Sequence, residues 1–162
     1  MKKPLAAALM GAFSLTAVTT ALPVRADDNE DICTYYGNVG AATVDFLLPL
    51  SFRQVVKLVG GRDANLAKSL DQRLQGLKNP RIKAMLDKLG PDAASLLGES
   101  AGFQAFQMAV SGRATEGGQV FMAMTNACQQ TGAKTIIDNQ RKKRQQSQPA
   151  HETNPNPNPD GE

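Results

Sequence analysis

The stretch ICTYYGNVGAATVDFLLPL, residues 32–50, decides the fold class. Within it Ile32, Tyr36, Val39, Thr43, Phe46 and Leu50 follow one another at alternating steps of four and three residues. That spacing lines one face of an α-helix, and Pro49 brings the helix to its end. The fragment Gly37-Asn38-Val39-Gly40-Ala41-Ala42 has the flavour of a dinucleotide-binding loop. It lies inside the helical pattern with no strand before it, so it reads as a place where a neighbouring helix approaches closely.

Downstream the helical period continues to about Asn139, without sustained alternation or an Asn-Gly or Asp-Gly hairpin signal. Ser51 and Gln54 have capping-box spacing before Phe52, Val55, Val56 and Val59, and this short helix stops at Gly60-Gly61. Leu66, Leu70, Leu74 and Leu77 mark a third helix. Asn79-Pro80 opens a fourth through Ile82, Met85, Leu86 and Leu89, as N-cap and first-turn proline. Gly90-Pro91 separates it from a fifth, about Asp92 to Val110, apolar or small on nearly every side and so expected in the middle of a bundle. A last helix is expected from about Gly117 to Ile137. The expectation is an all-α domain over 27–139, a compact bundle of about six short helices.

Both ends differ in composition from this body. Met1-Lys2-Lys3, the uncharged run Leu5–Leu22 and Val24-Arg25-Ala26 have the pattern of a cleavable signal peptide over 1–26. A retained membrane anchor is the alternative, but the run is only moderately apolar and close to the shortest spanning length. The expected location is therefore the bacterial periplasm or the exterior, without stable membrane insertion once the signal is cleaved. From Gln140 to Glu162 the basic run Arg141-Lys142-Lys143-Arg144 leads into Asn-Pro repeats, which reads as a disordered tail.

Cys33 and Cys128 are the two cysteines of the chain. In an oxidising compartment they are expected to pair. Neither has the Cys-x-x-Cys partner or basic neighbour of a redox thiol. The bond would close a loop of about 96 residues, worth about 4–5 kcal/mol in the chain-entropy description.

The charge of the whole chain is +3, from 18 Lys and Arg against 15 Asp and Glu. Lys2, Lys3 and Arg25 fall in the signal region, so residues 27–162 hold 15 of each sign and the mature chain is neutral. With six Phe, two Tyr and no Trp, nothing suggests nucleic-acid binding. The one histidine, His151, lies in the tail, which excludes a His-based triad or multi-His zinc site in the folded part. Gly60-Gly61-Arg62 lacks the rest of a P-loop, and no cofactor motif is present.

Two sets of residues remain as candidates. Asp45 and Glu99 stand among apolar neighbours and would form an acid/base pair if the fold brought them together around a cleft; otherwise they are solvated or paired with arginines such as Arg53 or Arg113. Phe103, Phe106, Phe121, Met122 and Met124 are core residues or an adaptable binding surface. Phe121, Met122 and Met124 cannot all face one side of a helix, so at least one is expected to point outward. The acidic cluster Asp27, Asp28, Glu30 and Asp31 suits a helix N-terminus and does not have the spacing of an EF-hand loop. It is also near enough to the Arg141–Arg144 run to attract it across the disulfide.

The layout of signal peptide, early cysteine, helical body and late cysteine is similar to that of several kinds of small exported bacterial protein. Acid-stress holdases, effector-immunity proteins and accessory proteins of secretion or conjugation systems are among them. The functional expectation is a non-enzymatic envelope protein that binds another protein, in an accessory, adaptor or effector-neutralising role. The alternatives are a small carboxylate-dependent hydrolase and a periplasmic stress holdase.

Overall fold

The computed structural model describes residues 26–147, and the expected cleavage region before Ala26 and the Asn-Pro segment lie outside them. The described residues form seven helices: α1 (Ala26–Leu47), α2 (Phe52–Val59), α3 (Ala64–Gln75), α4 (Pro80–Leu89), α5 (Ala93–Val110), α6 (Gly117–Thr131) and α7 (Ala133–Ser147). The all-α class holds, with one helix more than expected.

The centre of the bundle is α1. It packs chiefly on α6 and α5 and also meets α3, α4 and α7. Ile32, Tyr36 and Val39 of its apolar stripe are fully buried. Towards its end the buried face drifts to Val44 and Leu47, leaving Phe46 and Leu50 half-buried. At Gly37 and Gly40 α6 packs directly against the backbone of α1. A Cβ built on Gly37 would lie 2.1 Å from Thr125 Oγ1, and one on Gly40 would lie 2.2 Å from Met124 Sδ.

The fifth helix does not hold the central place its composition suggested. Only one face of α5 is buried, through Ala93, Leu96, Leu97, Ser100, Ala101 and Ala105. Its other side carries exposed Phe103 and Val110. An all-round apolar composition thus marks here a helix with a core face and a second, outward apolar face.

The expected last helix is two. Gly132, at φ +84°, ends α6 in a conformation that a side chain would disfavour. The new helix starts with Ala133 N–H donating to Asn29 Oδ1 of α1 at 3.0 Å. The helical body also continues past the expected boundary at 139, to Ser147, and so contains the whole basic run. The Cys33–Cys128 disulfide joins α1 to α6 with Cα atoms 5.3 Å apart.

Helices α2 and α3 contribute no buried residue. Leu74 and Leu77 pack against the edge of the core, and Gln54 Oε1 accepts the Ser51 N–H at 2.9 Å. The pair is an αα-hairpin laid on the bundle rather than a layer within it.

Candidate binding surface on the outer side of α5

The inner face of α5 is fixed by the core, and this sets the direction of its outer face. Tyr36 and Ser100 hydroxyls share a buried hydrogen bond of 3.0 Å between α1 and α5. Burial pushes the Tyr36 phenol up, partly opposed by that bond, and burial pushes Tyr35 up to about 12. Both phenols therefore stay neutral across the physiological range.

Outward, Phe103 is 61% and Val110 62% exposed, with Phe106 half-buried between them. Two open hollows flank this ridge and share Gln104 and Gln107. The first, about 360 Å³, runs between α5, α6 and α7, where Phe103, Thr131, Asn139, Gln140 and Lys143 surround a floor that includes Ile136. The second, about 610 Å³, lies along the end of α5 beside Phe106, Met108, Val110 and Arg113. The ridge is apolar at its centre and edged by glutamines and two cations, Arg113 and Lys143, at its rim.

The wall formed by α7 is held by two arginines one helical turn apart. Arg141 donates to both carboxylate oxygens of Asp92 (3.2 and 3.0 Å from Nε), to Leu89 O at 2.9 Å and to Asp138 at 3.0 Å. Gly90, at φ +122°, makes room for it, since a Cβ there would stand 2.7 Å from Arg141 Nη2. The Arg141 hydrogen bond holds the Asp92 carboxyl below its ordinary range, and Asp92 raises Arg141 in return. Lys134, with Arg141 adding to it, lowers Asp138 likewise. Arg144 pairs with Glu99 and donates to Ser95 Oγ at 3.0 Å.

These contacts redirect two expectations. The basic run belongs to a helix docked on α5, not to a free tail. The acidic start of α1 does not meet that run: Asp31 pairs with Arg81 and Asp28 with Lys88, both on α4.

The candidate carboxylates go to different places. Asp45 Oδ1 accepts the Gly117 N–H at 2.8 Å, at the N-terminus of α6. Glu99, 56% exposed on its side chain, is engaged by Arg144 of α7. Neither lines either of the two hollows beside α5. Among the described residues no three His, Cys, Asp or Glu side chains gather as metal ligands.

The five surface candidates divide as well. Phe103 and Met122 are exposed, Phe106 and Phe121 are half-buried, and Met124 is in the core beneath Gly40. Sequence reasoning missed Phe52, Val56 and Val59, which are exposed on α2. Their helical stripe reads as a core face, and no local signal tells that no other described element covers it.

No protein-family model matches the chain, and no curated protein or solved structure does so either.

Proposed function

We propose that the mature chain is an exported, non-enzymatic protein of the bacterial cell envelope that binds another protein through the outer side of α5. The observation that carries this reading is the exposed ridge of Phe103 and Val110 between two hollows, on a helix whose other face is locked in the core. A disulfide across the bundle and the leader-like sequence at 1–26 support export. The separate engagements of Asp45 by the Gly117 amide and of Glu99 by Arg144 favour this reading over a carboxylate hydrolase. Affinity capture from periplasmic extract tests the reading. Wild-type protein should return one defined partner, and Phe103→Asp should lose it with an unchanged Tm. Recovery of no protein, equal recovery by the variant, or hydrolase activity of the pure chain would contradict it.

A further inference from the structure

The most exposed large apolar side chain in the described chain is on α2. Phe52 is 81% exposed, Val56 and Val59 follow it along the same side, and Leu48 precedes it. Val55 and Leu58 are half-buried, so the helix leans on its neighbour with one flank and turns Phe52, Val56 and Val59 to solvent. Arg53 and Lys57 each follow a residue of that strip by one position, a step of about 100° round the helix, and so border it along one side. Arg62 lies just beyond the turn that ends α2.

Charge concentrates on the same hairpin. Residues 51–79 carry Arg53, Lys57, Arg62, Lys68, Arg73 and Lys78 against Asp63 and Asp71. Asp63 is already used, its Oδ1 accepting the Leu66 N–H at 3.0 Å as the cap of α3. The other described residues are close to neutral, with nine basic and ten acidic side chains. Among the described residues no ion pair involves any of the six hairpin cations, whereas Arg81, Lys83, Lys88, Lys134, Arg141 and Arg144 all have one.

We propose that the α2–α3 hairpin docks this protein on an anionic lipid surface. Phe52, Val56 and Val59 enter the headgroup boundary, and Arg53, Lys57 and Arg62 meet lipid phosphates. An apolar helical strip bordered by long cationic side chains is the composition of an interfacial helix. The lysine and arginine stems add apolar contact while their charges stay at the phosphate level. Shape favours lipid over a protein partner. The strip is one helix wide, and neither of the two hollows beside α5 includes a residue of the hairpin. A narrow apolar strip beside cations that no described carboxylate engages is matched by a fluid, planar, negative surface. No helix among the described residues is long and apolar enough to cross a membrane.

Co-sedimentation of the disulfide-bonded mature chain with lipid vesicles tests this. It should bind vesicles of phosphatidylglycerol and phosphatidylcholine but not vesicles of phosphatidylcholine alone, and binding should weaken as salt rises. Arg53→Gln with Lys57→Gln should lower the partition coefficient about 25-fold, about fivefold for each charge removed. Phe52→Ser with Val59→Ser should abolish binding while Tm holds, since both side chains are exposed. Phe103→Asp should bind vesicles normally, which keeps this result separate from the fate of the α5 reading. No binding to anionic vesicles at low salt, equal binding to both vesicle types, or full binding by the Phe52/Val59 variant would overturn the proposal. Self-association or capture of an acidic protein that is lost in that variant, without vesicle binding, would assign the face to that partner and overturn it too.

Discussion

The carboxylate of Asp45, two residues from the end of α1, accepts the backbone N–H of Gly117 at the first residue of α6, 72 positions later. A Cβ on Gly117 would stand 2.5 Å from Asp45 Oδ2, so the glycine is what lets the carboxylate reach the amide. The anion also meets the positive end of the α6 dipole. With Asn29 accepting the Ala133 N–H at the start of α7, α1 caps both α6 and α7.

Asp45→Ala should therefore destabilise the domain by about 1 kcal/mol, the usual cost of a lost cap. Asp45→Asn keeps an acceptor oxygen and should retain most of that stability. Urea unfolding of the two variants beside wild type measures both.

Two pairs of glycines should respond in opposite directions. Gly37→Ala or Gly40→Ala drives a methyl into α6 and should cost about 1–3 kcal/mol, as overpacking does. At Gly98 and Gly102 of α5, an added methyl would find nothing within 4 Å. Gly98→Ala or Gly102→Ala should stabilise by about 0.5–1 kcal/mol, because alanine loses less backbone freedom in a helix. Tm and denaturation midpoints read both signs.

Removing the staple should be the largest single loss. Cys33→Ala with Cys128→Ala opens a loop of sequence separation 95 and should cost about 4 kcal/mol in the chain-entropy description. Both positions are fully buried, and alanine leaves no unpartnered polar atom there. Equilibrium unfolding of the double variant, or of wild type under reductant, reports the difference.

Acid should loosen the α7 wall. Asp92 and Asp138 are held below the ordinary carboxyl value of 3.8, so the stability they add is present above that pH and lost as pH falls through their lowered values. The hydrogen bond to Asp92 pushes Arg141 up, so the guanidinium stays charged throughout. Arg141→Gln should be less stable than wild type near neutral pH, and the gap should close as pH falls from neutral to well below 3.8. Thermal melts of both proteins across that range show whether the gap closes.

Much of this fold is legible in the residues, and the exceptions share a cause. Ile32, Tyr36 and Val39 announce the buried face of α1; Asn79-Pro80 announces the start of α4, where Asn79 Oδ1 accepts the Ile82 N–H at 2.8 Å. These are local signals, read from spacing and capping chemistry. Arg141 and Arg144 were legible only as charge: that they sit one turn apart on a helix facing Asp92 and Glu99 depends on a docking that no local pattern encodes. Asp45 is the same case, since its partner is an amide 72 residues away. The α2 stripe fails in the reverse sense: a local pattern says core, and no tertiary partner arrives to cover Phe52. For the binding surface, Phe103 and Met122 were separable from Met124 only once α6 was seen to press Met124 under Gly40.

The most direct test of the account is photo-crosslinking in the periplasm, with a photoreactive residue at position 103 on α5 and, separately, at position 68 on α3. The account predicts that position 103 yields one discrete protein adduct and position 68 yields none. Equal labelling from both positions, or no protein adduct from position 103 in cells that hold the folded, oxidised chain, would contradict it.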